Sequence, residues 1–187
     1  MTEYFDEDKA VARLAEILAL KCGIHPITAR QIRIAARLHD VGKMKIDASI
    51  VQKPGKLNDQ EFAIMKTHTI LGAQMMSSLR GSIGEVITNT CLYHHEFWSG
   101  GGYWGKSAAD VPGYVFIVAL CDVYCALTSP RSYKQAWPKN AALEYIQSNA
   151  GTQFSPAHVK IFTAMIQDTA KITEKGAAPD GKQISTD

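Results

Sequence analysis

Apolar residues recur at helical spacing along almost the whole chain, and glycines and prolines cut that pattern into helix-length segments. Val11, Leu14, Ile17, Leu18 and Cys22 mark one stripe, and Gly23 stops it as the left-handed residue after a helix end. Pro26 opens a second helix at its first position, with Ile27, Ile32, Ile34 and Leu38 inside it and Gly42 breaking it. Asn58 and Glu61 have the spacing of a capping box ahead of Phe62 and Met65. Further helices are expected to carry His68, Leu71 and Met75, to span 83–93, and to span 113–127 behind Pro112. Pro138 and the Ser155–Pro156 pair each start another. Lys53, Pro54, Gly55 and Lys56 read as a turn, and 99–105 as a glycine-rich loop. No strand pair, repeat or second domain is visible. The expected fold class is all-α, a bundle of about seven helices around a metal site. It forms one domain over 1–173, and 174–187 is expected to be a disordered tail without periodicity.

A chain of 187 residues buries a core without covalent staples. Its net charge of +2 argues against a general nucleic-acid surface, so no nucleic-acid polymer is expected as partner. Cys22, Cys91, Cys121 and Cys125 form no C-x-x-C pair and sit in apolar surroundings, as reduced thiols of a cytosolic protein do. Glu3, Asp6, Glu7 and Asp8 crowd the start, which excludes the basic opening of a signal peptide. The longest apolar run, 115–120, falls far short of the roughly 20 residues of a membrane span. A soluble, cytoplasmic protein is expected.

Four of the six histidines fall in one spaced set with two aspartates: His39 and Asp40, His68, His94 and His95, then Asp122. Imidazole suits Zn, Fe, Mn and Ni, and carboxylate adds hard oxygen able to bridge two cations. Two metals about 3.5–4 Å apart form a clamp for in-line attack on phosphorus. His39 and Asp40 diverge by about 100° on a helix, so both reach one cavity from a helix end while pointing differently. Gly72 shares the face of His68 and lets another helix or a ligand approach closely. His25 and His158 stand beside helix starts without a carboxylate partner in sequence, and read as ordinary core or exposed residues.

The stretches 38–43 (LHDVGK), 53–55 (KPG), 65–72 (MKTHTILG), 94–96 (HHE), 100–103 (GGGY) and 122–128 (DVYCALT), followed by Arg131 and Lys134, resemble an HD-GYP domain over roughly residues 10–168. These domains are bacterial members of the HD phosphohydrolase superfamily and are mostly phosphodiesterases of cyclic di-GMP. The resemblance implies a dinuclear centre held by His39, Asp40, His68, His94 and Asp122, with Asp40 bridging. His95 would join it or serve a third metal. Fe or Mn is the expected metal, with Ni or Zn also accepted, and two metals are favoured over three. A metal-bridged hydroxide would open the cyclic dinucleotide to linear pGpG and onward to GMP. Lys43 would stabilise phosphate charge or protonate the leaving oxygen. Arg131 and Lys134 would grip substrate phosphates. Tyr103 would shape the cleft. Two other readings stay open: a catalytically weak module that binds metal and cyclic dinucleotide and acts through diguanylate cyclase (GGDEF) or pilus-regulating partners, and a phosphohydrolase of another nucleotide.

Several positions depart from the family pattern. The family's Asp-Gly-x-Gly-Tyr-Pro loop here has Ser99 for the Asp and Trp104 for the Pro. Trp104 either stacks on a guanine or packs within the loop. Cys125 stands where a second Asp is usual, and reads as a packing residue. Counting back from His39 without a gap, the family's first-helix His falls at Glu7. The upstream Glu of three-metal members falls at Glu3. Either acid is then a hard-oxygen ligand or an exposed residue.

Overall fold

The computed structural model describes the backbone of residues 2–130 and 135–176 and the side chains of 8–130 and 135–168. Among the described residues there are nine α-helices and no sheet. They are α1 (Thr2–Lys21), α2 (Pro26–Leu38), α3 (Ala48–Val51), α4 (Asp59–Lys66), α5 (His68–Met76), α6 (Gly81–Tyr93), α7 (Gly113–Thr128), α8 (Lys139–Ser148) and α9 (Pro156–Gly176). A 3₁₀ turn, Val41–Lys45, follows α2. The excess over seven comes partly from the single-turn α3 and from a break at Thr67 that separates α4 from α5. α9 continues three residues into the segment expected to be tail, and 177–187 lie outside the described residues.

The expected helix ends appear with their chemistry. Gly23 has φ +80°, and the Ile24 N–H reaches back to the Ala19 carbonyl at 3.0 Å, so the last carbonyls of α1 are satisfied. His25 caps α2, its ring accepting from the Ile27 N–H, ahead of Pro26. Asn58 and Glu61 form the reciprocal capping box of α4.

α7 is the central helix. Nine of its sixteen residues are buried, as befits a helix apolar on every side. It packs against α1, α2, α6, α8 and α9. Its one ionisable carboxylate, Asp122, is therefore carried into the interior on an apolar rod. α1 packs on α2 and α2 on α6, while the 3₁₀ turn lies on α5. That turn needs Gly42: a Cβ there would stand 1.9 Å from the His68 carbonyl oxygen and 2.5 Å from the Gly72 nitrogen. A Cβ on Gly72 would stand 3.3 Å from the Gly42 nitrogen and from the Cys91 Cβ. The close approach expected at Gly72 is thus made by the 3₁₀ turn and α6. Cys125 is buried in the core, and none of the four cysteines forms a disulfide. No helix among the described residues is long and apolar enough to cross a membrane.

Candidate metal centre

The bundle brings six residues of the spaced set into one region, each from a helix end except Asp122. His39 caps the C-terminus of α2, and Asp40 follows as the residue before the 3₁₀ turn. His68 opens α5, and His94 caps α6 with His95 next in line. Helix ends release the chain from the helical repeat, so neighbouring side chains converge on one point without breaking a ladder of backbone bonds.

Three imidazoles are fixed in the same way. His39 Nδ1 donates to the Ala36 carbonyl at 2.7 Å, and His68 Nδ1 to the Met65 carbonyl at 2.7 Å. His94 Nδ1 lies 3.0 Å from the Thr90 and Cys91 carbonyls. A proton on each Nδ1 leaves each Nε2 of the neutral ring as a lone pair aimed inward, the tautomer a metal ligand needs. His68 Nε2 lies 3.2 Å from His94 Nε2 and 3.2 Å from Asp40 Oδ1. Asp40 Oδ1 is also 3.6 Å from His94 Nε2. His39 Nε2 stands 3.5 Å from Asp40 Oδ2 and 3.6 Å from Asp122 Oδ1. His39 Nε2 and Asp40 Oδ1 are buried without a hydrogen-bond partner.

Converging imidazole nitrogens and carboxylate oxygens, two of them buried without a hydrogen-bond partner, fit a cation. Two sets of donor atoms lie within 4.8 Å of one another: Asp40, His68, His94 and His95, and a second set of Asp8, His39 and Asp40. Asp40 belongs to both, as a carboxylate with two oxygens can. Asp122 stands beside the second set through its contact with His39.

The electrostatics keep the carboxylates ionised and divide the rings. Burial works against the Asp40 carboxylate, but Lys43 and His39 override it and hold Asp40 well below the usual range. Asp122 is likewise held low, against its burial, by His39. Burial opposes a charged His39, yet Asp40 and Asp122 raise it to about 10, so without a metal this ring carries a proton on Nε2 that a bound cation would displace. Burial lowers His94, and lowers His95 further with help from His94. Rings that resist protonation keep their lone pairs for a metal.

Asp8 is the site residue that sequence reasoning missed. It lines the cavity, and its burial raises its carboxyl to about 6. Its signal was the phase of α1: position 8 precedes the fully buried Val11 and Ala12 by three and four residues, on the same face. Counting without a gap selected Glu7 instead. The Glu7 and Glu3 side chains lie outside the described residues, as do Arg131 and Lys134.

The cavity beside the cluster measures about 240 Å³. Asp8, Asp40, Asp122, His68 and His95 line it together with Lys43, Lys53 and Tyr103. Lys43 pairs with Asp40 Oδ2. Tyr103 lies 4.4 Å from the His95 ring, centroid to centroid. Trp104 does not line the cavity: its indole N–H donates to Thr69 Oγ1 at 3.1 Å and its ring faces Lys66. Trp104 thus rests against Thr69 and Lys66 with 37% of its surface exposed. Glu96, only 2% exposed, organises this loop. Its carboxylate accepts from the backbone N–H of Trp104 at 2.7 Å and of Lys106 at 2.9 Å. A Cβ on Gly102 would stand 2.4 Å from the Glu96 Cα, so the loop needs glycine there to close over Glu96.

A helical bundle with paired His and Asp ligands at its helix ends defines a class, and the chain belongs to it: residues 3–158 match the HD domain family. The chain is 37% identical over 147 residues to the cyclic di-GMP phosphodiesterase response regulator RpfG of Xanthomonas campestris pv. campestris, covering 78% of this chain and 39% of that protein. It is also 37% identical over 152 residues to the 3′3′-cGAMP-specific phosphodiesterase 2 of Vibrio cholerae, covering 81% of this chain and 29% of that protein. The chain thus spans less than half the length of these relatives. Its fold is similar to that of a solved HDG"Y"P protein from Bdellovibrio bacteriovorus, with a TM-score of 0.71 at 20% identity, covering 88% of this chain and 52% of that one.

Proposed function

We propose that this chain is a metal-dependent, cytoplasmic phosphodiesterase of cyclic dinucleotides, with cyclic di-GMP as its substrate and the linear dinucleotide as its first product. The observation that carries the reading is the pair of donor sets sharing Asp40 beside a cavity that also receives Lys43. His68, His94, His95 and Asp40 would hold one divalent ion, and His39, Asp8, Asp40 and Asp122 a second. Three carboxylates among the donors favour Fe or Mn over softer metals. When bound, such ions supply Lewis-acid stabilisation of charge that develops on a phosphoryl oxygen.

The remaining work belongs to the protein. The backbone carbonyls at Ala36, Met65 and Thr90 keep the imidazoles in the ligating tautomer. Lys43, held against Asp40 at the cavity wall, would stabilise charge on the phosphate and protonate the leaving oxygen. Tyr103, stacked beside His95, would form the wall against which the nucleotide lies. Arg131 and Lys134 would bind phosphate from the segment that follows α7.

The test is incubation of anaerobically purified, Fe(II)- or Mn(II)-loaded protein with cyclic di-GMP, with products followed by chromatography and metal measured on the same sample. Linear dinucleotide from the parent and none from Asp40→Ala is the expected result. Intact substrate with metal bound would overturn the enzymatic reading in favour of a binding module. A second substrate competes, because a relative equally identical to this chain is named for 3′3′-cGAMP. Turnover of both cyclic dinucleotides side by side decides between them.

A further inference from the structure

The same cavity is also lined by residues outside the His and Asp cluster. Lys53, Gly55, Leu57, Ile50 and Val51 line it, contributed by α3 and the turn that leads to α4. Lys53 is the cation among them. Its ammonium lies 2.7 and 2.6 Å from the two carboxylate oxygens of Glu61. Glu61 is itself held: its Oε2 accepts the Asn58 N–H at 2.8 Å, and its own N–H donates to Asn58 Oδ1 at 2.9 Å.

An exposed Lys–Glu pair adds little stability wherever it sits. This one fixes a lysine, through the capping box of α4, at the wall of the cavity. An ammonium has three N–H donors and the carboxylate takes two, so one is left over. The Lys53 side chain keeps 34% of its surface exposed, enough for that donor to meet a ligand. Glu61 cancels the charge, which makes Lys53 a directional donor and not a general attractor of anions.

We propose that Lys53 binds a phosphate of the substrate other than the one that is cleaved. This rests on the cyclic dinucleotide reading above. Such a substrate carries two phosphodiesters in one ring. With one of them at the His and Asp cluster, the ring leaves the other to meet a second part of the same cavity. Lys53 and the His and Asp cluster line one and the same cavity, so a ring seated across it meets both. Lys53 then selects substrates with two phosphates over those with one.

The experiment uses metal-loaded parent, the double variant Lys53→Gln/Glu61→Gln, and Lys53→Arg. The double variant removes both charges, so no stray carboxylate repels substrate. Each is assayed on cyclic di-GMP and on bis(p-nitrophenyl) phosphate, which has one phosphodiester, with bound metal and melting temperature recorded. The ratio of kcat/KM, cyclic di-GMP over the small diester, falls roughly tenfold in the double variant, the loss of one charged hydrogen bond. Lys53→Arg restores most of it. An unmoved ratio at normal metal content overturns the proposal. If the parent hydrolyses neither compound, the enzymatic reading fails, and calorimetric titration with cyclic di-GMP decides for Lys53. Binding weakened in the double variant supports the assignment. Unchanged binding, or no binding to the parent, overturns it.

Discussion

His68 Nε2 and His94 Nε2 face each other at 3.2 Å, and each ring already spends its Nδ1 proton on a backbone carbonyl. Two lone pairs at that separation repel unless a proton or a metal stands between them. A bound divalent ion therefore stabilises the folded chain, because the unfolded chain offers no such convergence. At a free metal concentration 100 times Kd the gain is about 2.7 kcal/mol. Chelation should lower the melting temperature and Mn(II) should restore it. His68→Ala and His94→Ala should each abolish most of the metal-dependent rise. A melting curve indifferent to chelator and metal in the parent would sink the assignment.

Gly42 ties Asp40 and Lys43 to α5 by having no side chain. A methyl group there meets the His68 carbonyl at 1.9 Å, and backbone has to move to admit it. Overpacking of this kind costs about 1–3 kcal/mol. Gly42→Ala should lower stability by that amount in urea unfolding and weaken metal binding as Asp40 shifts from His68. Loss of stability with unaltered metal affinity would show that the turn and the ligand cluster are mechanically separate.

Much of this was legible in the sequence where a local rule governs the outcome. Gly23, Pro26 and the Asn58–Glu61 box mark their helix ends through short-range backbone chemistry, and they appear where periodicity places them. That His39, Asp40, His68, His94, His95 and Asp122 converge was legible through their residue types and order along the chain. Asp8 was not, because a count without a gap ignores which face of α1 is buried. Position 8 turns about 100° from position 7, and only packing against the rest of the bundle selects between them. Glu96 was visible in the HHE stretch, yet its task depends on a loop that folds back ten residues later. Trp104 was ambiguous for the same reason: Thr69, its partner, lies 35 residues away in sequence.

Glu96 holds the loop that carries Tyr103, and it does so with a buried carboxylate. Glu96→Ala leaves the Trp104 and Lys106 N–H groups without an acceptor, at about 1–3 kcal/mol for each donor that stays buried. The loop should open instead of bearing that cost in full. Limited proteolysis should then cut within 99–106 much faster than in the parent, while the helical circular dichroism stays near its original value. Unchanged protease resistance would mean that Gly102 packing alone holds the loop closed.

Trp104 sits on Thr69 and outside the cavity lining, whereas Tyr103 lines it. If the divergent loop residue were a nucleotide platform, Trp104→Ala would weaken binding by the roughly 1–3 kcal/mol that a stacked base contributes. The geometry favours a smaller effect, below about threefold in Kd for cyclic di-GMP, with a larger one for Tyr103→Ala. Calorimetric titration of both variants separates the two roles. A Trp104→Ala loss as large as that of Tyr103→Ala would return Trp104 to the substrate site.

Asp8 gives the centre a pH dependence whose sign follows from its surroundings. Without metal, burial raises its carboxyl from 3.8 to about 6 in the folded chain. Between those values the folded state binds more protons than the unfolded state. Stability therefore falls as pH rises through that window and stays lower above it. An asparagine side chain at this position has no such proton to lose. Metal-free Asp8→Asn should melt higher than the metal-free parent at about pH 8, and the difference should vanish by about pH 3, below the unfolded value of 3.8. Excess Mn(II) should invert the order at the higher pH, because the ionised carboxylate that burial penalises becomes a ligand for the cation. Differential scanning calorimetry at both pH values, with chelator and with Mn(II), reads all four states. Equal melting of parent and variant in every state would remove Asp8 from the centre and leave His39 and Asp122 to serve Asp40 alone.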